Sequence, residues 1–219
     1  MAEIKLYGVA VSAFVAKVRI VLDMKGLDYE ELPPPDGYGS AAYRAIVPAG
    51  SVPGVLVDGR PFSDSNAIIE LIEALAPEPR LMPADPFAAA TVRSLLGFHD
   101  TRVEAAARTL FPVIKSDWRR DPAAVEAGVA GFEAALDRLA TMIDPAPFIL
   151  GDAPAFADLA YPVTIQMAEM MGAEMQRPVA VPEKIDAWRR KASEIDAVAR
   201  SLAIAGRAME SWMAGFRPG

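Results

Sequence analysis

The chain has no cysteine and a single histidine, His99, among its 219 residues. Without thiols there is no disulfide framework, no thiolate metal site and no redox chemistry carried by the protein's own sulfur. One imidazole cannot build a clustered histidine site for zinc or iron. Sulfur chemistry, if it occurs here, has to be brought by a bound molecule.

Two further absences narrow the setting. No apolar run approaches the ~18 residues that a membrane span needs. The apolar stretch after Lys5 is cut by Ser12 and followed by Lys17 and Arg19, which reads as folded protein rather than a leader, so a cytoplasmic location is expected. Clustered basic charge is also missing: 22 Lys and Arg stand against 29 Asp and Glu, for a formal net charge of −7. That balance argues against a nucleic-acid partner. The nearest approach to a basic cluster, Trp188-Arg189-Arg190-Lys191, reads at helical spacing as a solvated face.

What is present is a foldable composition, 53% hydrophobic and 23% charged, enough for one extended domain or two small ones. In the first third the pattern alternates. "IKLYG" reads as a short strand, residues 13–25 as a helix, and "LDYEEL" as a second strand. A short helix is expected around Ala41 to Ile46. Asp58-Gly59, set between Val52 to Val57 and Pro61-Phe62, predicts a tight hairpin turn. Helix resumes over Asn66 to Leu75. The order β-α-β-α-β-β-α describes a small mixed sheet with helices on its faces.

"APEPRLMPAD" carries three prolines and no period, and reads as a linker over about 76–85. Beyond it strand signals stop. Residues 86–115, 121–143, 155–171, 182–194 and 196–215 carry helical periodicity, with Pro86, Pro122 and Pro182 at helix starts. The second region is read as an all-helical bundle.

Four local features stand in order along this layout: Tyr7-Gly8 ending the first strand with Ser12 five residues after the tyrosine, "PAGSVP" at 48–53, "DSNAI" at 64–68, and "GDAPAFADL" at 151–159. Each is short, but together they resemble the glutathione transferase superfamily, and the step from Tyr7 to Ser12 resembles its serine-type members, many of them bacterial. The resemblance covers the whole chain. It implies an α/β plus all-α fold, with a thioredoxin-like glutathione-binding domain over residues 1–78 and an all-helical domain over 86–219. It also implies glutathione as co-substrate, a small apolar electrophile as second substrate, a homodimer, and no metal.

The same resemblance distributes roles. Val52-Pro53 would be a cis peptide presenting the Val52 backbone to the cysteinyl part of glutathione; read alone, the proline could equally be trans and open a strand. Asp64 would hold the γ-glutamyl ammonium and Ser65 its carboxylate; alone, the pair reads as an ordinary helix start. Ser51 stands where members often carry Lys or Gln for the glycine carboxylate, so that anchor is expected elsewhere, from Tyr38 or Arg44. Ser12 would donate to the glutathione thiolate, although serine at a helix start is also a good cap. Tyr7 is the alternative activator.

The second-substrate pocket is expected between the domains, with His99, Arg102, Phe111 and Tyr161 as conceivable contributors, while Met167, Met170, Met171 and Met175 read rather as core. In "GDAPAFADL" the usual capping Ser or Thr is Ala155, while Asp158 is kept, so half of a capping box is lost and Ala155→Thr is expected to stabilise. Glutathione-dependent isomerisation, dehalogenation or ether cleavage stays open beside conjugation, although the serine-cysteine signature of zeta isomerases is missing. So does a non-catalytic binding or scaffolding protein on the same fold.

Overall fold

The computed structural model describes residues 2–216. The chain forms two compact units, divided between Met82 and Pro83. The first contains β1 (Ile4–Tyr7), α1 (Ala13–Met24), β2 (Glu30–Leu32), α2 (Ala41–Arg44), β3 (Gly54–Val57), β4 (Arg60–Ser63) and α3 (Ser65–Leu75). Its strands lie in the order β2-β1-β3-β4. β1 runs parallel to β2 and antiparallel to β3, and β3 is antiparallel to β4.

Strand alternation sends Ile4, Leu6, Val55 and Val57 to one face and Tyr7, Leu32 and Leu56 to the other. Gly8 continues the first face: a Cβ there would sit 2.4 Å from Val15 Cγ1, so α1 is seated on it. α1 packs against α3, and the buried Val18, Val21, Leu22, Ile68, Ile69 and Ile72 complete the core. Each fully buried aliphatic side chain contributes about 1.5–3 kcal/mol. On the second face Tyr7, Tyr43 and Val47 form a smaller cluster with Ile46 and Val52.

The expected hairpin is formed, with Asp58 at φ 48° and Gly59 at φ 75°. Two successive positive φ values belong to the tight turn whose twist matches the flanking strands. The edges are blunted, β2 by its short run with Glu30 and Glu31, and β4 by Pro61. The stretch read as a patternless linker is pinned to the first unit as far as Met82. Glu73 accepts the backbone N–H groups of Leu81 (3.0 Å) and Met82 (3.1 Å), and Lys25 Nζ bridges Glu73 (2.5 Å) and the Pro79 carbonyl (2.6 Å).

The second unit contains α4 (Pro86–Phe98), α5 (Glu104–Arg108), α6 (Leu110–Lys115), α7 (Pro122–Met142), α8 (Phe156–Glu174), α9 (Glu183–Ser193) and α10 (Asp196–Ala214). α8 is buried on nearly every side and is contacted by α4, α5, α6, α7, α9 and α10. Residues 86–115, expected as one helix, are interrupted by a π turn over His99–Val103 and a restart at Leu110. In the π turn the Glu104 N–H bonds the His99 carbonyl five residues back. On an α-helix those residues stand about 140° apart; the wider turn brings both to Thr164, whose Oγ1 is 2.9 Å from His99 Nε2 and donates to Glu104 Oε2 at 2.8 Å.

Trp188 corrects the reading of a solvated 188–191 face. It is buried, and its indole N–H donates to Asp158 at 2.7 Å. Asp158 also accepts the backbone N–H groups of Ile149 and Ala155, at 2.9 and 2.8 Å. Burial pushes its carboxyl above the usual range and these donors oppose the rise. A four-residue charge pattern could not reveal that its first member faces α8. Of the four methionines read as core, Met167, Met171 and Met175 are buried, and Met170 is half-buried.

Candidate functional site

Tyr7 pairs with Gly54, and Gly54 with Ser63, forming a row across three strands at one end of the sheet. The segment leading to Ser12 leaves from Tyr7, Val52-Pro53 enters at Gly54, and Asp64-Ser65 follows Ser63. The register therefore delivers three stretches distant in sequence to one sheet end. Two helices begin there, α1 after Ser12 and α3 at Ser65. Helix N-termini present unsatisfied N–H groups and partial positive charge, a setting that suits an anion.

Ser12 is the N-cap of α1. Its Oγ accepts the Val15 N–H at 3.3 Å and is mostly buried. A hydroxyl has one proton to donate besides its acceptor lone pairs. The cap uses an acceptor, and among the described residues nothing takes the proton.

The Val52–Pro53 peptide is cis. Among the described residues the Val52 backbone N–H and carbonyl have no hydrogen-bond partner. The Ser51 carbonyl accepts from Tyr43 Oη at 3.0 Å, and burial, with Tyr7 nearby, pushes the Tyr43 phenol up to about 12, so it stays a donor. Gly54 has to be glycine, since a Cβ would meet Tyr43 Oη at 2.3 Å and Val47 Cγ2 at 2.8 Å. Beside this loop Gly50, at φ 67°, lies against the Arg44 side chain, its absent Cβ 2.8 Å from Arg44 Nε. Arg44 thus borders the Gly50-Ser51 backbone, while Tyr38 projects into solvent, 65% exposed.

Asp64 stands at φ 72°, a conformation that non-glycine residues rarely adopt. Its Oδ1 takes both capping bonds, from Asn66 N (2.9 Å) and Ala67 N (3.0 Å). Oδ2 is left without a partner among the described residues. Ser65 is a buried residue at the start of α3, and its hydroxyl is likewise uncommitted among the described residues.

Two residues at this end were not singled out from sequence. Lys17, 1% exposed, donates to Asn66 Oδ1 at 2.6 Å, with its ammonium 5.4 Å from the Phe14 ring centroid. The available signal was α1 itself: "AFVAKVRIVLDM" is apolar on every side, which describes a helix enclosed all round, so its cations need partners inside. Arg19 obeys the same rule through a bidentate pair with Glu31.

Tyr7 lies on the opposite sheet face from α1, its ring 5.7 Å from that of Tyr43. His99 and Tyr161, conceivable contributors to a second-substrate pocket, are fully buried and hydrogen-bonded, Tyr161 Oη to the Leu95 carbonyl at 2.6 Å. Their environment is helix packing. Asp100, His99 and Thr164 have the connectivity of an acid–base relay, with Asp100 Oδ1 2.6 Å from His99 Nδ1. Yet the His99 and Thr164 side chains are sealed from solvent and Thr164 donates onward to Glu104, so no substrate reaches that hydroxyl. Arg102 is exposed, and Phe111 packs edge-on against Trp212 at 5.1 Å.

Comparison with known proteins bears on the same elements. The family model described as glutathione S-transferase, N-terminal domain, matches residues 6–80, and that described as glutathione S-transferase, C-terminal domain, matches residues 122–203. A glutathione S-transferase of Pseudomonas putida is 32% identical over 181 residues, 77% of this chain and 76% of that protein. The chain belongs to the glutathione S-transferase family.

Within that family the chain is also similar to a maleylacetoacetate isomerase of Pseudomonas aeruginosa, 30% identical over 85% of this chain and 86% of that one. Among solved structures, a tau-class glutathione S-transferase from mango superposes with a TM-score of 0.78 at 19% identity, covering 97% of this chain and 98% of that one. A bacterial maleylpyruvate isomerase of the zeta class superposes with a TM-score of 0.69 at 26% identity, covering 92% of this chain and 97% of that one. The glutathione S-transferase fold, a thioredoxin-like unit followed by an all-helical one, is therefore the frame of the site.

Proposed function

We propose that this glutathione S-transferase family member binds glutathione at the Ser12, Val52, Ser65 end of the sheet and uses its thiolate to attack an apolar electrophile. The observation that carries the reading is the division of labour in Ser12, whose oxygen caps α1 while its proton remains available. A thiol of pKa near 8.5 is only about 3% thiolate at pH 7. Lowering the bound value by ~2 units requires about 2.7 kcal/mol. One hydrogen bond to a charged group contributes ~1.5–3 kcal/mol and a helix N-terminus ~0.3–1 kcal/mol. Ser12 at the head of α1 meets that requirement as a donor, without acting as base or covalent nucleophile.

The other parts follow from the same geometry. The unpaired Val52 N–H and carbonyl would take the cysteinyl backbone as an added strand, Asp64 Oδ2 the γ-glutamyl ammonium, and Ser65 with the α3 N-terminus its carboxylate. Ser51 lies beside the glycine end, where Arg44 supplies the cation that Ser51 cannot. Tyr7, on the far face of the sheet, is the weaker candidate for activator. The reading carries a homodimer, a cytoplasmic location and a detoxifying role, the first checked by sedimentation.

A second reading is favoured by the similarity to a maleylacetoacetate isomerase: thiolate addition to a conjugated double bond, rotation about the resulting single bond, and expulsion of the thiolate. Both readings share the first step and so share Ser12. The test is a glutathione-dependent assay over alkyl and aryl halides, enones and cis-enoic acids, beside titration of the bound thiol. Loss of thiolate in Ser12→Ala but not in Tyr7→Phe is expected. The reverse would transfer the role to Tyr7, and absence of glutathione binding at millimolar concentration would indicate a scaffold.

A further inference from the structure

The Ser51–Val52 peptide is held from one side only. Tyr43 Oη donates to the Ser51 carbonyl at 3.0 Å, while the Val52 N–H, on the same peptide unit, has no partner among the described residues. A peptide unit is planar, and in its trans form the N–H points away from the carbonyl. Whatever fixes the Ser51 oxygen therefore aims the Val52 N–H in the opposite direction. The bond also polarises that peptide, which strengthens its N–H as a donor.

Tyr43 is itself fixed at several atoms. It is fully buried in the cluster that Tyr7 and Val47 share with the Val52 side chain. Its N–H donates to Ser40 Oγ at 3.0 Å, and that hydroxyl donates on to the Pro35 carbonyl at 2.7 Å. The Tyr43 carbonyl accepts the Ile46 and Val47 N–H groups at 2.9 and 2.8 Å. Gly54 closes on the phenol from beyond Pro53, where the Cβ it lacks would stand 2.3 Å from Oη. A ring packed in this way is confined to one rotamer, so its hydroxyl serves one place. We propose that Tyr43 is a positioning residue for the thiol peptide: through the Ser51 carbonyl it sets the plane and the donor strength of the Val52 N–H, and so governs capture of the cysteinyl backbone without touching the sulfur. Resting on the glutathione reading above, this role divides the site into thiolate formation at Ser12 and backbone capture at Val52.

Tyr43→Phe removes that one oxygen and keeps the ring. Titration of the full-length protein with glutathione by calorimetry is expected to give a Kd raised about tenfold, the loss of one oriented hydrogen bond. The pKa of the bound thiol, followed by ultraviolet absorbance at saturating glutathione, should stay at the parent's value because Ser12 is untouched; a general loosening of the site would move both. Gly54→Ala, whose methyl takes the place of the phenol oxygen, should weaken glutathione in the parent and add less in the Tyr43→Phe background. Should Gly54→Ala misfold, the single variant decides. An unaltered Kd in Tyr43→Phe, a bound-thiol pKa that rises with it, or full additivity of the two changes overturns the proposal and leaves the glutathione reading standing. Absence of glutathione binding by the parent overturns that reading, and this role with it.

Discussion

The ammonium of Lys17 donates to Asn66 Oδ1 at 2.6 Å, and through that bond the helix capped by Ser12 is tied to the helix that starts at Ser65. The two hydroxyls proposed to meet opposite parts of glutathione therefore stand on elements joined by a buried cation. Lys17→Met keeps the apolar stem and removes the donor. A loss of about 1–3 kcal/mol in urea unfolding is expected, together with a raised glutathione KM in the fraction that remains folded. Unchanged KM and stability would show that the bond holds nothing in place.

Capping and thiolate activation at Ser12 can be separated. Aspartate caps a helix as well as serine does, but an ionised carboxylate has no proton to give and repels a thiolate. Ser12→Asp is thus expected to keep the urea midpoint near that of the parent, whereas Ser12→Ala loses about 1 kcal/mol. Both should lose the ultraviolet absorbance of the bound thiolate at neutral pH. Thiolate retained in Ser12→Asp would mean that the hydroxyl is a cap only.

At the start of α8, Ala155 makes no side-chain cap while Asp158 bonds its N–H. The structure sharpens the expectation for this position. Ala155 is only 3% exposed, so threonine must place a methyl as well as a hydroxyl in a packed environment. Ala155→Ser should stabilise by about 1 kcal/mol and exceed Ala155→Thr. A lower urea midpoint for serine would mean that the site has no room even for one oxygen.

Acid sensitivity is expected from the Arg177 cluster. Hydrogen bonds from Arg177 hold the Glu133 and Glu126 carboxyls below the usual range. A carboxyl with a depressed folded pKa contributes stability that is fully present above its unfolded value, about 4.3, and is lost as pH falls through the folded one. Asp158, raised by burial, acts in the opposite sense and cannot produce such a loss. Melting temperatures followed below about pH 5 should therefore fall less steeply in Arg177→Gln than in the parent. Parallel acid limbs would place the sensitivity elsewhere.

Much of this protein is determined locally and so was legible in the chain. The Asp58-Gly59 turn follows from the φ values those two residues tolerate, β4 is marked as an edge by Pro61, and the prolines at 86 and 122 stand at helix starts, as the backbone chemistry of proline requires. Ser12, Val52-Pro53 and Asp64-Ser65 could be picked out because each is a local motif. What tertiary structure alone decided is where chain segments meet. The row Tyr7, Gly54, Ser63 gathers those motifs at one sheet end; Lys17 is buried because α1 is enclosed on all sides, and Trp188, despite its charged neighbours, is buried because α9 turns it toward Asp158 on α8; and the π turn at His99 brings two side chains five residues apart together on Thr164. Periodicity encodes which face of an element is apolar, but not what lies opposite it. The partners of a buried charge, and the proton left over on a capped serine, are properties of that second surface.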